Sequence, residues 1–337
     1  MTGMTKIREE DYAYATARVR AVEPRLLDSL RFERLLEAPT VSDAVKLLTE
    51  ARYAEGTDVS ELGWEALLDA EGARVTAFLA GIMPYPEVLD VFRLQTDYLQ
   101  AKRLLKALYR SRDPGALTGL PGTVPMAALV RAIEDHKPYE LPAPLAEAIF
   151  TAMDTYGKSG DPRDIDLVLD QGAYRHMAQA AAEVGHPFLT ETVALYTDMA
   201  NIRVFVRGRL IGESVDFLKK ALLPGGNLAP KRFLDAADKS VEAFLESIRY
   251  TPFGETALAG FEAFKAGRGI SLFEQRLEDR FMQHVRKAKY VAMGLEPMVG
   301  YLLAKETEIR NVRILLTGKV NGLPQEEIRE KLRMTYV

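Results

Sequence analysis

The sequence predicts an all-α protein built from three degenerate copies of one helical unit, and three observations carry that prediction. Apolar residues recur at three- and four-residue spacing, as in Leu26, Leu27, Leu30 and Phe32 or in Phe233, Ala236, Ala237, Val241, Phe244 and Leu245. That is the period of a helix with one buried face. Strict alternation over strand length is rare, and no β-branched cluster is bounded by hairpin turns, so a sheet has little support. Finally, one polar signature recurs three times with a period of about 100 to 110 residues, well beyond the ~34 to 47 of helical solenoids.

Helix punctuation follows in order along the chain. Pro39 with Ser42 is expected to open a helix at Asp43, and Thr123 to cap one running from Val124. Pro324 is expected to start the last helix, with Glu326 and Glu327 in its first turn, Lys331 and Arg333 toward its end, and Glu327 four residues before Lys331. Gly, Pro and Asp gather at 53–58, 136–144, 157–162, 251–254 and 267–269, which read as surface connections.

The repeat reads acid, two residues, side-chain amide, one residue, base: Asp97-Tyr-Leu-Gln100-Ala-Lys102, Asp198-Met-Ala-Asn201-Ile-Arg203 and Glu308-Ile-Arg-Asn311-Val-Arg313. Upstream stand Leu68-Asp69, Leu169-Asp170 and Leu277-Glu278, at acid-to-acid spacings of 28, 28 and 30 residues. Between the two marks each copy places a Gly closely followed by Pro (Gly81 and Pro84, Gly185 and Pro187, Gly294 and Pro297), a helix stop and tight reversal. Downstream, Leu120-Pro121-Gly122, Leu223-Pro224-Gly225 and Gly322-Leu323-Pro324 each precede another helix. The expected divisions are 1–130, an N-terminal helix plus the first unit, 131–245, the second unit, and 246–337, the third. A mid-helix Asn or Gln is a mediocre helix former and persists most simply through a helix-to-helix hydrogen bond. The base five residues after the acid cannot face it on one helix and needs a partner elsewhere. The sharper alternative has Arg203, Arg207, Arg209 and Arg313 presenting cations to a partner protein.

Composition excludes several functions. The 337 residues are 47% hydrophobic, enough to bury a large core, and 44 basic against 48 acidic residues give a net charge of -4 without a basic face for nucleic acid. Cysteine is absent, which removes disulfides and thiolate ligands and fits a reducing compartment. Residues 1–20 lack the apolar core of a signal peptide. The most apolar stretch, 290–304, is interrupted by Glu296 and Pro297 and is shorter than the ~20 residues that span a bilayer, so any membrane association is expected to be peripheral. His136, His176, His186 and His284 form no helical metal pair. Pro224-Gly225-Gly226 lacks the Lys and Ser/Thr of a phosphate loop, no GxSxG elbow occurs, and Asp161/Asp164 and Glu278/Asp279 read as solvated acids. No catalytic, metal or cofactor residue is expected. An all-α enzyme binding metal and diphosphate would need a run of close aspartates that is missing, whereas a general scaffold that holds peptide helices in a groove stays open.

The pattern resembles the C subunit of the archaeal- and bacterial-type rotary ATPases (A/V-type ATP synthases), the counterpart of the d subunit of the vacuolar H+-ATPase. The resemblance runs from Tyr12-Ala-Tyr-Ala-Thr-Ala-Arg-Val-Arg20 with Arg25-Leu-Leu, through Phe32-Glu-Arg-Leu-Leu-Glu37 and the second and third signatures, to the closing segment Gly322–Arg333 with Tyr336-Val337. It implies a pseudo-threefold, funnel-like arrangement of the three units, and a non-catalytic central-stalk component that binds no nucleotide directly. It further implies coupling of the D/F-type rod to the membrane proteolipid (c/K/L-type) ring, for proton or Na+ transport at the cytoplasmic face of a membrane. Arg203 and Arg313 are the candidate partner-binding residues.

Overall fold

A computed structural model describes residues 7–55, 63–110 and 122–337. Among the described residues every regular element is helical, and the α-helices are α1 (Ala13–Val22), α2 (Ser29–Glu37), α3 (Val41–Glu50), α4 (Trp64–Ile82), α5 (Pro86–Tyr109), α6 (Met126–Glu134), α7 (Ala143–Ser159), α8 (Pro162–Val184), α9 (Pro187–Leu210), α10 (Val215–Ala221), α11 (Pro230–Leu234), α12 (Val241–Ser247), α13 (Gly254–Ala263), α14 (Ile270–Val285), α15 (Glu296–Val320) and α16 (Gln325–Arg329). They divide into two compact units, residues 87–244 and the described part of 6–86 together with 245–337. The three signatures lie on the long helices α5, α9 and α15, of 24, 24 and 25 residues.

In the unit of residues 87–244, α5 packs its Leu104 and Leu105 against Leu129 and Ile133 of α6, Leu145 and Ile149 of α7 and Leu169 of α8. Gly185 ends α8 in the left-handed conformation at φ 72°, and Pro187 opens α9 one residue after its cap, His186. The expected Gly/Pro reversal is thus present. Phe205 on α9 meets Phe233 and Phe244 at ring-centroid distances of 5.8 and 4.3 Å, an aromatic core for the short helices that follow.

In the other unit α15 has the role of α5, but the helices that complete it come from the opposite end of the chain. Leu315 and Leu316 pack with Leu27, Phe32 and Leu36 around α2, Leu48 of α3 and Leu68 of α4. Helices α2, α3 and α4 therefore serve α15 as α6, α7 and α8 serve α5. Their starts are locally encoded. The Asp28 carboxylate accepts the Arg31 N–H at 2.8 Å, and the Thr40 hydroxyl oxygen accepts the Asp43 N–H at 3.1 Å.

Several local expectations are corrected. Helix α3 begins at Val41, two residues before Asp43, because Thr40 is its cap. Helix α6 begins at Met126, and Thr123 does not cap it, its hydroxyl being spent on Asp97 at 2.6 Å. The last helix is only Gln325–Arg329. Lys331 does pair with Glu327, while Arg333 leaves the helix for Glu278 at 2.7 Å. Leu120 and Pro121 lie outside the described residues. The register of Gly322-Leu323-Pro324 also differs. It matches Gly212-Glu213-Ser214, with both glycines at positive φ (66° and 75°) and both following residues bonded back to a helical glycine, Leu323 N–H to Gly318 and Glu213 N–H to Gly208. Gly208 and Gly318 let the next short helix approach, since a Cβ there would stand 3.0 Å from Leu218 and 2.6 Å from Ile328 respectively.

This geometry separates two glycine substitutions. Gly→Ala in a helix gains about 1 kcal/mol in propensity, and overpacking costs about 1 to 3 kcal/mol. Gly318→Ala, against the branched Ile328, is expected to lower the thermal midpoint, whereas Gly208→Ala, against the end of Leu218, is expected to be close to neutral. Thermal denaturation of the two variants beside the wild type tests this.

Candidate functional site

The repeated signature is a set of buried backbone clamps. Asp97, Asp198 and Glu308 are all buried, and each carboxylate accepts a backbone N–H two residues before the start of another helix. Val124 N–H reaches Asp97 at 3.1 Å before α6, Leu228 N–H reaches Asp198 at 2.8 Å before α11, and Leu27 N–H reaches Glu308 before α2. Burial raises the Asp97 and Asp198 carboxyls, and the hydrogen bonds from Thr123 and Val124, or from Leu228 and Asn227, counteract part of that rise. The choice of Asp or Glu is coupled to the residue two before the clamped N–H. A Cβ at Gly122 or Gly226 would collide with the Asp97 or Asp198 carboxylate, whereas Arg25 fits opposite Glu308, which reaches from one methylene farther away.

The amide does a parallel task. Asn201 donates to Leu223 O at 2.9 Å and accepts Leu223 N–H at 2.7 Å. Asn311 treats Arg333 in the same way, at 2.9 and 2.8 Å, and both partners lie 22 residues downstream. The amide thus bonds to connecting backbone, not to another helix as the sequence suggested. Gln100 is buried at the corresponding position of the first copy.

The bases find acids on a neighbouring helix. Lys102 of α5 pairs with Asp170 of α8, and Arg313 of α15 stands 3.5 Å from Asp69 of α4. Each joins one copy's signature to the upstream mark of another, first to second and third to first. Arg313 and Asp69 are both 52% exposed. Arg203 is half-buried, and its charge acts on Tyr174. Arg209 donates to Lys239 O at 3.2 Å, and Arg207 is exposed. Arg203 lies in the unit of residues 87–244 and Arg313 in the other.

Among the described residues, the third copy adds a buried ionic cluster. Lys305 Nζ lies 2.7 Å from both Glu71 and Glu308 and 4.7 Å from the Tyr53 ring centroid. Glu71 also accepts from Arg74 at 2.8 Å and from Ala54 N–H at 2.9 Å. Burial alone would raise the Glu71 carboxyl, but Arg74 and Lys305 leave it below its ordinary value. Burial likewise disfavours the Lys305 ammonium, and Glu308 and Glu71 more than compensate. Helical periodicity and motif spacing both miss this cluster. Its one sequence signal is a Lys at a position where the other copies carry the buried leucines Leu94 and Leu195. Three of the four acids read as solvated are also corrected. Asp164 is buried and pairs with Lys220 at 3.3 Å, Glu278 is held by Arg333, and burial raises Asp279, which accepts Met334 N–H at 2.7 Å.

Asn201→Ala and Asn311→Ala each strand a backbone N–H and C=O and are expected to cost about 2 to 3 kcal/mol. Asn321→Ala, which removes one exposed bond to Thr317 O, should stay within about 0.5 kcal/mol. Urea denaturation of the three variants checks the contrast. Lys305→Met leaves two buried carboxylates without their shared counter-ion and is expected to cost about 3 to 5 kcal/mol. The pH dependence has a definite sign. Glu71, depressed when folded, supports stability above its ordinary 4.5, and that support fades as pH falls through the folded value. Lys305, raised when folded, supports stability below its ordinary 10.5, and that support is lost as pH rises through the folded value. Denaturation of Glu71→Gln between pH 3 and 7 should therefore show a shallower acid limb than the wild type.

Among the described residues no group of three His, Asp or Glu side chains is placed to hold a metal ion, and no helix is long and apolar enough to cross a membrane. Residues 15–331 match the family model described as ATP synthase (C/AC39) subunit. Similar proteins include the C subunit of the V-type sodium ATPase of Enterococcus hirae, 23% identical with 94% of this chain and 97% of that protein covered. The C subunit of the A-type ATP synthase of Methanocaldococcus jannaschii is 25% identical, with 95% and 86% covered. The C subunit of the V-type ATP synthase of Thermus thermophilus is also 25% identical, with 96% and 98% covered. Matched over nearly its whole length, the chain belongs to the ATP synthase (C/AC39) subunit family and is a component of the A/V-type rotary ATPase complex.

Proposed function

We propose that this chain is the non-catalytic central-stalk component that couples a D/F-type rod to the membrane proteolipid ring, held peripherally at the cytoplasmic face. The observation that carries the reading is the repeated frame: three long helices, each about 36 Å at 1.5 Å per residue, each with a buried acid and amide. A torque-bearing part needs such stiffness, and buried, doubly bonded polar groups fix one arrangement of the connecting backbone. Three units, divided near 130 and 245, set around a pseudo-threefold axis would give the rod a socket and the ring a wide base.

The helix ends support two kinds of contact. Each long helix exposes apolar side chains at its C-terminal end: Leu108 and Tyr109 on α5, Leu210 and Ile211 at α9, and Val320 and Leu323 at α15, with Ile211 74% and Val320 59% exposed. Apolar side chains recurring at the same end of each helix mark docking surfaces, and each suits an apolar loop of a membrane ring. Arg203 and Arg313 are assigned to the polar contact with the rod. The exposed Arg313–Asp69 pair is cheap to open, since surface pairs are worth at most about 1 kcal/mol.

The purified chain is expected to form a one-to-one complex with the D/F-type rod that weakens with salt, read by pull-down and size-exclusion chromatography. Arg313→Glu should reduce rod capture at least several-fold at low salt, while Ile211→Ser with Val320→Ser should spare the rod and reduce capture by detergent-solubilised ring. No rod complex at any salt, or indiscriminate binding of unrelated helical peptides, favours a general scaffold instead.

A further inference from the structure

Helices α2 and α3 with the residues flanking them line an open pocket of about 470 Å³ that includes Arg25, Arg31, Arg34, Arg52, Leu35 and Leu48. Repeat geometry does not require this set. Counting from the clamped N–H, Arg25 stands where the other copies have Gly122 and Gly226, Arg31 where they have Ala128 and Arg232, and Arg34 where they have Arg131 and Asp235. Only the α2 copy has arginine at all three. Arg31 is committed to local structure, donating to Leu26 O at 2.7 Å and Pro24 O at 3.2 Å. The Arg34 guanidinium has no hydrogen bond or ion pair among the described residues. Arg52 follows α3 at φ 63°, where glycine or asparagine is the ordinary choice and another residue costs about 1 to 2 kcal/mol. The Arg52 guanidinium stands at the pocket despite that backbone cost.

We propose that this pocket docks an acidic protein segment in which Asp or Glu alternates with apolar residues. The chain itself shows what the rim takes: the Glu55 carboxylate bridges Arg25 at 3.4 Å and Arg52 at 3.1 Å. Arg31 being held by backbone carbonyls, three guanidiniums face, among the described residues, Glu50 in the lining and Glu55 on the rim, which leaves room for further anionic groups. The leucine walls suit an aliphatic side chain beside each carboxylate, and planar guanidiniums hold carboxylates through paired hydrogen bonds. The pocket volume fits a few side chains, not a whole helix. The assignment is separate from rod and ring coupling, because none of its residues belongs to the repeated signature or to the apolar helix ends.

The test is fluorescence polarisation of the full chain with a labelled decapeptide of alternating Glu and Leu. A Lys/Leu peptide, inorganic phosphate and phosphatidylglycerol vesicles serve as comparison probes. The Glu/Leu peptide should bind, release with rising salt, and bind on the order of tenfold more weakly to Arg34→Ala and to Arg52→Gly. Arg52→Gly is the discriminating variant, since glycine suits its backbone, so the thermal midpoint should hold or rise while affinity falls. Unchanged affinity in both variants, or no binding of the Glu/Leu peptide, overturns the proposal. So does Arg34-dependent binding of phosphate or vesicles without the peptide.

Discussion

The fold depends on one constraint, a carboxylate buried on each long helix that takes hold of backbone two residues before another helix begins. Asp97, Asp198 and Glu308 convert a chain crossing into a fixed joint, because a buried N–H without a partner costs about 1 to 3 kcal/mol. Asn201 and Asn311 add a second joint 22 residues downstream. With both bonds made, the connecting backbone has one low-energy path, and Gly122, Gly226, Gly208 and Gly318 stand where the carboxylate or the next helix leaves no room for a Cβ.

The third copy shows what happens when chain connectivity no longer helps. Glu308 must hold Leu27, 281 residues away, and Lys305 must meet Glu71, 234 residues away. There the leucine of the other copies is replaced by a lysine between two glutamates, with Arg74 and Tyr53 around it. Such a cluster adds little net stability over an apolar core, since desolvation offsets much of the attraction, but breaking it is expensive and its geometry is specific. It therefore suits the recruitment of α2 and α3 to the correct place on α15 and α4.

Helical class, the three signatures and the Gly/Pro reversal between α8 and α9 were legible because each has a local cause: period, residue type, or a positive-φ stop. The pairing of the bases was half legible. Five-residue spacing from Asp198 to Arg203 forbids a same-helix pair, yet only the structure puts Lys102 on Asp170 and Arg313 on Asp69. The supply of α15's partner helices from the N-terminal segment could not be read from spacing, since contact across 281 residues leaves no local periodicity. Gly322-Leu323-Pro324 was placed in the wrong register because turn composition does not fix position. Gly208 and Gly212 against Gly318 and Gly322, at constant distances from Asn201 and Asn311, would have fixed it.

The proposed coupling role rests on a stiff frame with apolar helix ends and an openable ion pair, features suited to a part set between two partners that turn together. The most direct measurement is ATP-driven ion uptake by vesicles carrying the rotary complex assembled with and without this chain, with ATP hydrolysis followed in parallel. Coupling through this chain predicts that hydrolysis by the catalytic head persists without it while ion uptake is lost and returns when the chain is restored. Undiminished uptake in its absence would contradict the account.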